Sequence, residues 1–222
     1  MRRRTVLALF VVLVLGWIPA SLATQHFKPG SELARWPIKT TLPENSDPSQ
    51  PKKTVKLDDL FRLSLPDQIN ARDVRWRTER LPKFQTPLEI AEGDIVAVEG
   101  YVRLLVSGSD GDYHIQIAPS PEGAEYECLI VEIPRPEPEF VKDQKLRDLF
   151  AEKRAWLRDQ LLNGKEPSGN GSMIQRPTYV RVLGQLFYDG WHTGGKRGKR
   201  GCTSPTLWEI HPITDFSFAP AP

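Results

Sequence analysis

Two imidazoles and two carboxylates are the residues in this sequence whose types could do chemistry together. His114 follows Asp112-Tyr113, Glu132 ends an apolar run, and Glu209 and His211 stand two apart in Trp208-Glu-Ile-His-Pro212. Neutral imidazole nitrogens and carboxylate oxygens both ligate zinc and related divalent ions, so His114, Glu132, Glu209 and His211 form a candidate metal set if folding brings them together. The same side chains could instead cap loops or hydrogen-bond one another without a metal, because neither HExxH nor another diagnostic spacing occurs. Asp110 and Asp112 offer the oxygen ligands that calcium takes, but no EF-hand loop completes them.

A second group is cationic. Residues 190–206 carry Lys196, Arg197, Lys199 and Arg200 with no acidic residue among them, beside Trp191 and His192. Lysine and arginine supply charge for phosphate or an acidic sugar, and an aromatic face stacks on a base or sugar ring. The competing reading is a solvated hairpin tip. Arg103, Asp94, Glu99 and Asp112 supply the residue types of a nuclease centre built on a barrel, but no spacing among them forms a motif. No G-x-S-x-G elbow supports a serine hydrolase. No cofactor is expected beyond a divalent metal.

Those side chains need elements to position them. After the turn at Gly93-Asp94, apolar and other residues alternate from Val96 to Leu105, predicting a long strand with one buried face. A turn at residues 107–112 leads to a second strand at residues 113–118, burying Tyr113, Ile115 and Ile117. Residues 128–133 make a third strand, terminated by Pro134, Pro136 and Pro138. The period then becomes helical between Phe140 and Asn163, with Leu146, Leu149, Phe150, Leu157 and Leu161 on one side and Gly164 at the end. Residues 165–176 read as a loop, residues 179–187 as a fourth strand and residues 206–213 as a fifth.

Three strands, a helix and two strands is the order of the OB-fold, a five-stranded Greek-key barrel with one helix between strands 3 and 4. The expected fold class is therefore mainly β, with an irregular arm before the barrel. Val96-Ala-Val-Glu-Gly100 and Val180-Arg-Val-Leu-Gly184 share a V-x-V-x-G pattern, so the first and fourth strands should pair, bending at Gly100 and Gly184. With Ile115, Val131 and Ile210 inward, strand parity turns His114, Gln116, Glu132, Glu209 and His211 outward. Ligands of OB barrels cross the second and third strands, so Tyr101, His114, Gln116 and the 190–206 loop make the candidate binding face.

The run from Gly93-Asp94 through Asp112-Tyr-His-Ile, Glu132-Ile-Pro and Gly184-Gln-Leu-Phe-Tyr-Asp189 to His192 and Trp208-Glu-Ile-His-Pro212 resembles a group of exported bacterial proteins with an OB-like core. The likeness covers about residues 93 to 213. It implies the barrel and export, and carries over no catalytic residue.

Export is also expected from the N-terminus. Arg2, Arg3 and Arg4 precede a nearly unbroken apolar run to Ile18, and residues 19–23 end in small residues, which predicts a signal peptide over 1–23 cleaved after Ala23. The run is short for a membrane span, so no transmembrane segment should remain after cleavage. The product would be periplasmic or extracellular, where Cys128 and Cys202, the only two cysteines, should form a disulfide. Parallel, adjacent third and fifth strands would bring both thiols to one end of the barrel. Residues 24–88 read as a Pro-rich linker and irregular arm, most flexible over 43–53, with a short helix in residues 55–65. Residues 89–218 form the barrel domain.

Composition excludes some classes: 39% hydrophobic and 26% charged residues are too apolar for a disordered chain and too polar for a multi-spanning one. The 30 Lys and Arg fall to 27 without Arg2, Arg3 and Arg4, against 28 Asp and Glu, so no global basicity selects a nucleic acid or membrane. The expected function is a binding module for an oligosaccharide, a nucleic acid or another polyanion, or an envelope protein. The alternative is a metal-dependent hydrolase or nuclease using the outward His and carboxylate residues.

Overall fold

A computed structural model describes residues 35–71, 73–190 and 197–222. Its elements in chain order are α1 (Trp36–Lys39), β1 (Lys53–Thr54), α2 (Leu57–Phe61), a 3-10 turn at Val74–Arg77, β2 (Ile95–Ser107), β3 (Tyr113–Ala118), β4 (Tyr126–Glu127), β5 (Leu129–Ile133), α3 (Gln144–Leu161), β6 (Ser172–Tyr188), β7 (Cys202–Thr203) and β8 (Trp208–Phe218).

The five long strands close into a barrel in the order β2-β3-β5-β8-β6, with β6 returning to β2. The single parallel contact of this ring is β5 with β8, at Val131 opposite Ile210; the other four pairings are antiparallel. This is the OB-fold order, with α3 between the third and fourth barrel strands. Val96, Val98, Val102, Ile115, Ile117, Val131, Ile133, Val180, Val182, Leu186, Ile210 and Ile213 are buried in one cluster, joined by Phe150 and Leu157 of α3. Asp143 caps α3, its side chain accepting from the backbone N–H groups of Lys145 and Leu146.

The V-x-V-x-G segments pair directly, with Val96 opposite Gly184 and Gly100 opposite Val180. Both glycines are sites of close approach. A Cβ on Gly184 would stand 2.4 Å from the Pro212 carbonyl oxygen and 2.9 Å from the Ile213 Cα, and the β6–β8 register shifts on both sides of Gly184. A Cβ on Gly100 would meet the Ala118 carbonyl at 2.9 Å. Because backbone cannot swing aside as a side chain can, Gly184→Ala should cost about 1–3 kcal/mol, read as a lower midpoint in urea unfolding with the m-value unchanged.

Two strands run longer than their periodicity shows. β6 begins at Ser172, inside the expected loop, because Ser172 and Met173 pair with Leu105 and Leu104. The intervening residues 174–177 bulge out of the ladder opposite Arg103, and this excursion accommodates Pro177, which has no N–H to donate. β8 continues to Phe218 because Val180 pairs with it.

Residues 35–88 pack on the barrel, and the expectation of a loose linker needs correction. β1 runs parallel to the start of β2, with Lys53 opposite Val96. Pro48 accepts a 2.7 Å hydrogen bond from Thr214 Oγ1, so even the polar 43–53 run is anchored. Trp36, Leu57, Leu60 and Trp76 join the core. The short expected helix is the five-residue α2. The signal-peptide reading over 1–23 lies outside the described residues. No helix among the described residues is long and apolar enough to cross a membrane.

Candidate functional site

β3 carries His114 and Gln116, the turn before it carries Asp112, β5 carries Glu132, β8 carries Glu209 and His211, and the end of β6 leads into Asp189. Strand parity turns these side chains away from the barrel interior, and pairing brings them together: His114 is opposite Glu132, and Val131 is opposite Ile210 between Glu209 and His211. Their face is not solvent surface. Gln116 and His211 are wholly buried and Glu209 is 2% exposed, because α1 covers one part of the patch and residues 197–203 another. The outward orientation is correct, and the exposure it implied is not.

Glu132 is the centre. Its Oε1 lies 2.8 Å from His114 Nδ1, and its Oε2 lies 2.9 Å from His211 Nδ1 and 3.8 Å from the Lys39 ammonium. On the far side of the His211 ring, Nε2 stands 3.5 Å from Asp112 Oδ2, while Asp112 Oδ1 accepts from the Arg135 backbone N–H. The contacts to His211 are close but out of line, so among the described residues neither ring nitrogen has an aligned hydrogen-bond partner, nor does Asp112 Oδ2. Beside this group the Arg197 guanidinium pairs with Glu209, lies 3.4 Å from Asp189 and donates to the Thr206 carbonyl.

Burial and charge act in opposition here. Burial pushes the Lys39 ammonium down, but the carboxylates of Glu132, Asp189, Glu209 and Asp112 outweigh it and hold the ammonium above its ordinary range. Burial also opposes ionisation of Glu132, but Lys39 and the two imidazoles hold it well below the usual carboxylate range. Burial, with Asp110 and Glu132 adding repulsion, pushes Asp112 up, and burial with Asp189 does the same to Glu209. Burial and then Lys39 push the His211 imidazole down, toward its neutral form. A neutral imidazole is the form that ligates metal. Asp112, Glu132 and His211 bring one ligand atom each within 4.8 Å of one another, and this buried group could hold a metal ion.

No protein-family model matches the chain, and no curated protein matches it.

The remaining predicted residues distribute differently. Gln116 spends both ends of its amide on its own chain, accepting from the Lys199 N–H at 2.8 Å and donating to the Lys199 carbonyl at 3.3 Å. Tyr101 packs edge-to-face on Tyr179 with ring centroids 4.9 Å apart. Its register partner Ala118 is four residues from His114 along β3, about 13 Å. Tyr101, His114 and Gln116 therefore form no single open face. Of the cationic loop, Arg197 is half-buried in ion pairs, Lys199 and Arg200 hold residues 169 and 170, and Trp191, His192 and Lys196 lie outside the described residues. The nuclease inventory does not converge: Asp94 pairs with Lys52, Glu99 with Arg181, and Arg103 donates to the carbonyls of Ser120, Glu122 and Gly123.

Cys128 and Cys202 are bonded, with Cα atoms 5.9 Å apart, where β4 and β7 pair beside the start of β5. The parallel β5–β8 contact that predicted this bond is present. Sequence reasoning missed Lys39, Asp189 and the role of Asp112. Asp112 shares the parity of His114 and Gln116, so extending the strand pattern by one step would have found it. Lys39 carries no such signal.

Proposed function

We propose that the protein is an exported binding module that takes a polyanionic ligand, an acidic oligosaccharide or a nucleic acid, on the barrel rim where residues 197–203 meet residues 168–171. The supporting observation is the anchoring of two cations. Lys199 Nζ donates to the Gly169 carbonyl at 3.0 Å and Arg200 Nε to the Asn170 carbonyl at 2.8 Å, and among the described residues neither is paired with a carboxylate. Side chains already held by backbone lose less freedom on binding, and unpaired cations attract phosphate, sulfate or carboxylate groups. Export is supported by the N-terminal Arg and apolar run and by the disulfide.

Binding to heparin or single-stranded DNA should weaken with salt, and Lys199→Ala with Arg200→Ala should weaken it about tenfold at low salt. The slope of log affinity against log salt should fall by about 1.4 for the single-stranded DNA. Unchanged binding by the double variant would remove the rim from the function. The alternative of a metal-dependent hydrolase rests on the Asp112, Glu132 and His211 group. A substrate would have to displace α1 or the 197–203 loop to reach His211, so the group suits a role within the fold better than an open reaction centre.

A further inference from the structure

We infer that Asp112, Glu132 and His211 form a binding site for a divalent first-row transition ion such as Zn²⁺ or Mn²⁺, and that the Lys39 ammonium is the built-in cation this ion competes with. Three observations carry the inference independently of the rim.

The first is unmet bonding capacity. Both nitrogens of His211 and Asp112 Oδ2 are fully buried and, among the described residues, have no aligned hydrogen-bond partners. Buried polar atoms are seldom left in that state, and a bound ion is one recognised resolution. The second is charge. The Lys39 ammonium lies 3.8 Å from Glu132 Oε2 and is itself buried, so the carboxylates of this group already hold a cation inside the fold, where a metal ion would take its place. The third is size. Ligand atoms about 2.0–2.2 Å from a tetrahedral ion lie about 3.3–3.6 Å apart, so a group already within 4.8 Å closes on an ion by side-chain shifts of about 1 Å.

The donor set is one imidazole and two carboxylates, which suits Zn²⁺ or Mn²⁺ better than thiophilic ions. Lys39 lies 3.8 Å from the same Glu132 oxygen, and its carrier α1 seals the patch. Entry of the ion would push the ammonium off Glu132, so metal binding and the seating of the arm should be linked.

The experiment uses untagged mature protein, dialysed against chelator and titrated with Zn²⁺ and with Mn²⁺ by calorimetry, with metal content and thermal unfolding read on the same samples. One equivalent should bind, and a hundredfold excess over the dissociation constant should raise the melting temperature by about 5 °C or more. Asp112→Asn, which keeps the side chain's shape, should weaken binding at least about tenfold, and Lys39→Met should tighten it by at least about tenfold. Circular dichroism establishes that each variant is folded. Failure of both wild type and Lys39→Met to bind either ion would overturn the site. Binding unaltered by Asp112→Asn and by His211→Gln would place the ion elsewhere, which overturns it equally.

Discussion

Removing the Cys128–Cys202 bond should lower stability by up to about 4.5 kcal/mol, the entropy that a closed loop spanning 74 positions removes from the unfolded chain. In the folded protein the bond joins the start of β5 to the loop that covers the polar patch. Without it, that loop is held by the two-residue β4–β7 pairing, the Gln116–Lys199 hydrogen bonds and the Arg197 ion pairs. Cys128→Ala with Cys202→Ala is the cleaner test, because a single change leaves a reactive thiol. Urea unfolding of the double variant should show a drop of about 2–4.5 kcal/mol, and a protein of this size should melt about 5–15 °C lower. A change below about 1 kcal/mol would show that the bond restrains little in the unfolded chain. The amides of residues 199–203 should also exchange faster, since local opening no longer requires global unfolding.

Glu92→Ala should cost about 3–5 kcal/mol, among the largest effects of any single substitution in the molecule. Glu92 sits just before β2 and is 6% exposed, and its carboxylate serves four donors. Arg35 contributes two of them through Nη1 and Nη2, the second at 2.7 Å, and the backbone N–H groups of Leu81 and Tyr188 contribute the others at 2.6 and 2.8 Å. Arg35 is 1% exposed and also donates to the carbonyls of Trp76, Glu79 and Tyr188. Deleting the carboxylate would bury an unpaired guanidinium and orphan two backbone N–H groups, and the penalty comes from what is left behind. Replacing both partners, Arg35→Met with Glu92→Met, should recover the part of the loss that comes from the unpaired guanidinium, while the backbone groups that the pair served stay unpartnered. A double-mutant cycle by urea unfolding reads this as a coupling energy of at least about 2 kcal/mol. Additive effects would mean that Arg35 does not anchor the arm through Glu92.

Much of the barrel could be read from local pattern. Alternation over residues 96–105 and 113–118, the helical period after Phe140 and the shared V-x-V-x-G segments report which side chains must leave water, and that requirement is imposed by neighbours along the chain. Parity also placed His114, Glu132, Glu209 and His211 on one face, and the parallel β5–β8 neighbours brought Cys128 to Cys202. Strand ends were read less well. The extension of β6 to Ser172 depends on its partner Leu105 in β2, 67 residues away, and nothing near Ser172 announces it.

Burial of the polar patch was decided by tertiary structure alone. A period of two says which residues share a face but not whether a second layer covers it, and polar residues on a strand read as solvent-facing. Here α1 and residues 197–203 supply that layer. The sequence separation between Lys39 and Glu132 leaves no periodic trace, because what selects Lys39 is the charge of a site assembled from distant strands. The same holds for Arg35 with Glu92, 57 residues apart. The sequence by itself determined the order of strands, the face on which the imidazoles and carboxylates stand and the cysteine pair, since each follows from local hydrophobic periodicity and a known way of closing a barrel. Only the tertiary structure decided that this face is sealed, that Gln116 and Arg197 are spent on the chain's own loop, and that Lys39 stands among the carboxylates, because burial and ionic complementarity depend on packing between segments far apart in the chain.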